Sequence, residues 1–255
     1  MDQLKDQGKE QSAQGKKVLV EVEDLYKIYK VGDERVRALD GVSFDIYEGE
    51  FIAIVGTSGS GKSTLLNMLA GLEPPTKGMI KLGSKRMDRM KEKQLVRMRR
   101  KHMGFIFQSY NLIGTMDAKE NVAMPLMFRG VGAKERERKA KEILKLMGLG
   151  KHMKHLPSQM SGGQQQRVGI ARALVTNPKI IFADEPTGNL DSGTTKEILT
   201  ILRDTVNKKN NTLVMVTHDR NLAQVADRVI HIKDGKIRKI EINANKKEII
   251  EDEDY

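Results

Sequence analysis

The chain has 255 residues, 38% hydrophobic and 31% charged, with no cysteine and a formal net charge of +11. That is enough chain to bury a sizeable core in one large or two small domains. Disulfides and thiolate metal sites are excluded, no apolar run is long enough to span a bilayer, and the opening MDQLKDQGKEQSAQGKK lacks the apolar centre of a secretory signal.

Residues 1–17 read as a polar tail. Val18–Val22 and Val42–Ile46 read as strands with interleaved polar residues. Phe51-Ile52-Ala53-Ile54-Val55 is a continuous apolar run ending in Gly56, as a buried parallel strand would be. Lys62–Leu72 is a helix candidate carrying Leu65, Leu66, Met68 and Leu69. Lys81–Lys101 then holds ten Lys or Arg against Asp88 and Glu92. Such a stretch is either a solvated charged face or a site for an anionic partner. It contains no aromatic residue to stack on bases, which argues against nucleic acid. Gly104–Phe107, Ile180–Ala183, Leu213–Val216 and Val229–Ile232 are further short apolar runs, the later ones separated by helical segments such as Thr194–Val206. Strands alternating with helices give an α/β sheet with crossover connections. Between about residues 88 and 166 only one strand signal occurs, and Ala140, Ile143, Leu144 and Met147 have helical spacing. This predicts a helical subdomain inserted into a single domain of residues 18–240. Residues 241–255 form an acidic tail, and no internal repeat is visible.

Gly56-Thr57-Ser58-Gly59-Ser60-Gly61-Lys62-Ser63 matches the P-loop pattern in full, between a strand run and a helix. Its glycines let the backbone wrap phosphate with inward-pointing N–H groups, and the helix N-terminus adds positive potential. Lys62 supplies a full charge to the terminal phosphates and the Ser63 hydroxyl can ligate Mg2+. A second strand run, Ile180–Ala183, ends in Asp184-Glu185-Pro186. At the carboxyl edge of a parallel sheet, Asp184 is placed to hold Mg2+ and Glu185 to polarise an attacking water. Gln108 and His218 also follow strand runs and can each reach a γ-phosphate, a metal or the water, although such residues are more often capped loop residues. His102, His152, His155 and His231 have no pairing that points to chemistry.

A second glycine-rich run, Met160-Ser161-Gly162-Gly163-Gln164, has no lysine. It keeps an N-cap serine, two glycines permitting close approach, and a helix behind them. It would cover the exposed side of a γ-phosphate, on this copy of the chain or on another.

The order of these motifs resembles the ATP-binding cassette family over roughly residues 18–235. Met160–Gln164 is similar to its signature sequence, with Met160 where the family usually has leucine. Gly188-Asn189-Leu190-Asp191 resembles its D-loop, Gln108 its Q-loop glutamine, His218 its switch histidine and Tyr29 the aromatic that stacks on adenine. The resemblance implies a RecA-like P-loop core with an antiparallel β subdomain and an inserted helical subdomain. It implies ATP and Mg2+ as ligands. Tyr29, the loop from Gly56 to Thr64, Ser161, Gly162, Gly163, Gln164 and Asp191 would hold nucleotide. Ser63, Gln108 and Asp184 would hold metal, and Glu185, His218 and Gln108 would act in hydrolysis. It further implies a homodimer in which each signature meets the opposite subunit's ATP, and a separate membrane permease holding the cassette at the inner face of the cell membrane. Tyr110, Leu112, Ile113, Met124, Leu126, Met127 and Phe128 would pack in the helical subdomain or grip that permease. Gly49–Gly56, Phe107–Leu112 and Ala183–Asp191 are most similar to the macrolide-export, lipoprotein-release and bacitracin-resistance group. That group implies export or release of a drug, lipoprotein or peptide. A cell-division type that controls a cell-wall hydrolase through a membrane partner stays open. A soluble cassette acting on DNA or ribosomes is disfavoured by the single cassette and the absence of a coiled-coil insertion.

Overall fold

The computed structural model describes residues 16–243. Most of the polar N-terminal stretch and the acidic end lie outside these residues. Strand β1 (Val18–Val31) pairs antiparallel with β2 (Glu34–Tyr47) across a Gly32-Asp33 turn. Both strands are far longer than the apolar runs Val18–Val22 and Val42–Ile46. The reason is burial: Val31, Arg35, Val36 and Arg37 are exposed, so the hairpin's far half is held by ladder hydrogen bonds and carries no apolar alternation. On the other side of β1 lie β4 (Lys77–Leu82) and the short β5 (Lys85–Arg86), giving the sheet order β2-β1-β4-β5.

The larger sheet runs, in spatial order, β10 (Lys236–Ile242), β9 (Arg228–Lys233), β3 (Phe51–Val55), β8 (Thr212–Thr217), β7 (Ile180–Asp184) and β6 (Met103–Phe107). Strands β3, β6, β7, β8 and β9 are parallel. β10 is antiparallel on β9, so regular structure runs past residue 240, where polarity alone suggested a boundary. The Asn243 side chain donates to the Ala226 carbonyl at 2.8 Å.

Strand β3 shows why the sheet's apolar runs are continuous. Phe51, Ala53 and Val55 enter one core cluster while Ile52 and Ile54 enter another, so both faces are covered. The second cluster fills the space between the sheets, where Leu65, Leu66, Met68 and Leu69 of α1 (Lys62–Leu69) meet Leu25, Ile46 and Ile80. The first lies against α5 (Gly162–Leu174), α6 (Ser192–Lys209) and α7 (Arg220–Ala223).

The stretch read as a helical insertion is more mixed. Helix α2 (Glu92–His102) buries Met98 in the cluster between the sheets, and β6 completes the edge of the large sheet beside β7. The helices with no strand alongside in the sequence are α3 (Ala118–Phe128) and α4 (Ala133–Leu146). They meet α5 through Val122, Ala140, Ile143, Leu144 and Val168. Among the described residues no helix is long and apolar enough to cross a membrane.

Candidate functional site

The phosphate loop leaves the end of β3 and turns into α1. Gly61 caps that helix at φ 100°, and a Cβ there would collide with the Ala38 carbonyl of β2. Only glycine meets both demands. The Lys62 ammonium is buried and donates to the Gly56 and Thr57 carbonyls, each at 2.9 Å, so it closes its own loop. The Ser60 hydroxyl is buried with no hydrogen-bond partner among the described residues. The loop borders an open cleft of about 720 Å3 lined by Thr57, Ser58, Gly59, Gly61, Lys62, Ser63, Thr64, Glu185 and His218.

Parallel pairing of β3, β8 and β7 brings the other groups to the same edge. Asp184 ends β7 with the Ser63 hydroxyl beside its carboxylate. Burial, then the neighbouring Glu185 charge, raise its pKa from 3.8, while Lys62 and Ser63 act the other way. Glu185 takes a left-handed backbone, φ 44°, its N–H bonded to the Val216 carbonyl at 3.0 Å. A non-glycine residue in that conformation is strained and is held by its surroundings. Its carboxylate lies 2.8 Å from His218 Nδ1, at the end of β8. Gln108, after β6, is cross-linked to Asn189: its carbonyl accepts from Asn189 Nδ2 at 3.2 Å. Gln108 and Glu185 converge on Gly188, where a Cβ would lie 2.8 Å from Gln108 Nε2 and 3.4 Å from Glu185 Oε2.

Tyr29 sits on β1 and does not line the cleft. Its hydroxyl donates to Glu73 at 2.8 Å and also contacts Thr64, the residue after Ser63. Lys27 lies 5.2 Å over one face of its ring. Burial, ahead of the Glu73 charge, raises the phenol's pKa.

The signature run stands apart. Ser161 caps α5 in a reciprocal box: Gln164 N–H donates to its hydroxyl at 3.3 Å and Ser161 N–H to Gln164 Oε1 at 3.0 Å. Gly163 is small because α6 begins beside it; a Cβ would lie 2.6 Å from Thr194 Cγ2. Ser161, Gly162, Gly163 and Gln164 contribute nothing to the cleft of their own chain. Asp191 is exposed, but its two oxygens accept from Thr194 N and Oγ1 at 2.9 and 2.7 Å, capping α6 and lowering its pKa.

Two residues were missed in the sequence. Gln166 is fully buried on α5 and donates its amide to the Pro186 carbonyl, next to Glu185. Arg172, on the same helix, donates to the Tyr110 and Asn111 carbonyls just after Gln108. Their partners lie 20 to 62 residues away, so no local pattern announces them.

A glycine-rich loop after β3 that leads into a buried lysine, with two carboxylates at the same sheet edge after β7, suits the hydrolysis of nucleoside triphosphates, and the fold is that of a P-loop nucleotide hydrolase. The sequence pattern described as ABC transporter matches residues 39–188. An uncharacterised ABC transporter ATP-binding protein of Thermotoga maritima is 49% identical, covering 88% of this chain and 96% of its own length. The macrolide export ATP-binding/permease protein MacB of Hyphomonas neptunium is 48% identical over 86% of this chain, which spans only 34% of it. Among solved structures, the dimeric post-hydrolysis state of the ATP-binding cassette MJ0796 bound to ADP and Pi is similar. Its TM-score is 0.83 at 42% identity, covering 89% of this chain and 99% of that one. The chain belongs to the ABC transporter family, as its ATP-binding and ATP-hydrolysing subunit.

Proposed function

We propose that two copies of this chain close head to tail around two ATP molecules and drive a separate membrane permease. The observation that carries this reading is the division of the site. The phosphate loop, Glu185 and His218 share one cleft, whereas the residues of the capped N-terminus of α5 do not line it. A helix N-terminus with two glycines is suited to a phosphate, and a second copy would supply that phosphate. The dimeric MJ0796 structure supports the pairing.

In this reading Gly56–Thr64 wraps the phosphates, with Lys62 leaving the Gly56 and Thr57 carbonyls to meet them. The Ser60 hydroxyl, unpartnered among the described residues, and the Ser63–Asp184 pair fit a phosphate and an oxygen-liganded cation. Bound there with help from Gln108, Mg2+ would neutralise charge on the phosphates. Glu185 takes the proton of the attacking water, and His218 orients Glu185 and reads the γ-phosphate. Tyr29 offers adenine the ring face opposite Lys27. Ser161, Gly162, Gly163, Gln164 and Asp191 act on the partner's nucleotide. Met127, Phe128 and Ile113, all exposed, contact the permease, whereas Leu126 is core. The chain would thus lie at the inner face of the cell membrane through its partner. The MacB relatives, macrolide export proteins by name, favour export of a drug, and the motif resemblance adds a peptide or lipoprotein as alternatives.

The test is Ser161→Arg. A monomer should bind nucleotide as before and lose both ATP-dependent dimerisation and turnover. Loss of nucleotide binding by the isolated monomer would overturn the cross-subunit site.

A further inference from the structure

The basic stretch of residues 81–101 is not used by the ATP site. Its charge is unevenly spent. Lys81 pairs with Glu21, Arg86 with Asp88 and Arg99 with Glu92, so both of the stretch's own acids are consumed. The other seven cations have no ion pair among the described residues.

Four of them lie on one face of α2. Lys93, Arg97, Arg100 and Lys101, with Val96 among them, recur at helical spacing and all are exposed. The stripe is about 12 Å long. The end of α3 is fastened beside it. Arg100 donates to the Phe128 carbonyl at 2.8 Å, and Arg129 donates back to the Arg100 and Lys101 carbonyls at 2.7 and 3.0 Å. Phe128 and Met127, 57% and 45% exposed, therefore adjoin the cations, and Val96 is 45% exposed. His102 senses the same field: after burial, its pKa is lowered most by Lys179, Lys101, Lys85 and Arg129, all of them positive.

We infer that the exposed face of α2, with Phe128 and Met127 beside it, is a contact surface for anionic lipid headgroups. Cations interleaved with exposed aromatic and aliphatic side chains suit a membrane interface, where charges meet phosphate and apolar groups enter the headgroup boundary. Duplex nucleic acid would use the cations and leave Val96, Met127 and Phe128 in water. The inference rests on the permease reading in one respect: Met127 and Phe128 belong to the segment assigned to that contact, so this face would lie beside it. A lipid contact would add a grip on the bilayer that does not pass through the permease.

The test uses the full chain without any permease and vesicles of phosphatidylcholine, with or without phosphatidylglycerol. The protein should partition onto the anionic vesicles and fall off with added salt. Each cation contributes about a five-fold factor near such a surface, so K93E/R97E/K101E should weaken partitioning at least about a hundred-fold. Its ATP turnover should be unchanged, since these residues lie outside the cleft. Phe128→Ser should weaken it further. Equal partitioning on both vesicles, or a triple variant that binds as the wild type does, overturns the inference. So does displacement from the vesicles by duplex DNA at equal phosphate, which would make this a nucleic-acid face. Because no permease is present, failure of the permease reading would instead show as loss of co-purification with vesicle binding intact.

Discussion

Glu185→Gln separates the chemistry of the site from its architecture. The amide keeps the shape of the carboxylate and removes its charge and its ability to take a proton. The backbone at this position is fixed independently of the side chain, by Glu185 N–H to the Val216 carbonyl at 3.0 Å and Gly188 N–H to the Glu185 carbonyl at 3.1 Å. The loop should therefore stay in place. Loss of a positioned general base costs about 10²–10⁴-fold in rate, or roughly 3–5 kcal/mol in the barrier. Nucleotide affinity should move the other way. The Glu185 charge is one cause of the raised pKa of Asp184, so removing it favours the ionised, cation-holding form of that carboxylate. The expected result is a kcat lowered by two to four orders of magnitude, KM unchanged or reduced, and an ATP-dependent dimer that persists in size-exclusion chromatography. Single-turnover hydrolysis measures the chemical step directly. A variant that hydrolyses ATP at close to the wild-type rate would refute the assignment of Glu185 as base. One that fails to dimerise with ATP would refute the argument that charge removal leaves binding intact.

Asp184→Asn should raise the melting temperature of the nucleotide-free protein at neutral pH while abolishing turnover. Asp184 has a raised pKa, so the folded state binds more protons than the unfolded chain, and stability falls as pH rises from 3.8 through the raised value. The gain from the amide should accordingly fade below that window, and scanning fluorimetry across pH checks it; a gain that grew on acidification would contradict the sign. Gln166→Leu leaves the Pro186 carbonyl without its donor, which should cost about 1–3 kcal/mol in denaturant unfolding. It should also lower kcat more than it changes KM, because the loop that positions Glu185 loosens; an unchanged kcat would show that Glu185 is held without it.

What the sequence made legible follows from how far apart the partners lie. The phosphate loop, Asp184-Glu185 and the signature run are contiguous, and each carries its chemistry within a few residues. The parallel strands were legible because burial on both faces leaves an unbroken apolar run, as in Phe51–Val55. Of the antiparallel strands, only the apolar ends of β1 and β2, Val18–Val22 and Val42–Ile46, were. β4 buries only Ile80 and Leu82, and β10 keeps polar residues along most of its length, so hydrogen bonding to a neighbour, not composition, makes them strands. The same distance effect hid the site's supports. That Gly61 must be glycine depends on Ala38 of another sheet, and that Gly163 must be small depends on Thr194.

Helix α5 ties these supports into one mechanical argument. Its first residues follow Ser161, its middle holds the Pro186 carbonyl through Gln166, and its last turn holds the carbonyls after Gln108 through Arg172. Thirteen residues of helix form a rod about 20 Å long. Tyr110, whose carbonyl Arg172 binds, also places its hydroxyl where a Cβ of Gly162 would lie, 2.8 Å away. A push on the N-terminus of α5 therefore reaches the loops around Glu185 and Gln108 through hydrogen bonds that are buried or partly buried. In the proposed head-to-tail pair that push would come from the phosphate bound by the other copy. Occupancy of one cleft would then bear on the catalytic groups of the other without any movement of the sheet between them.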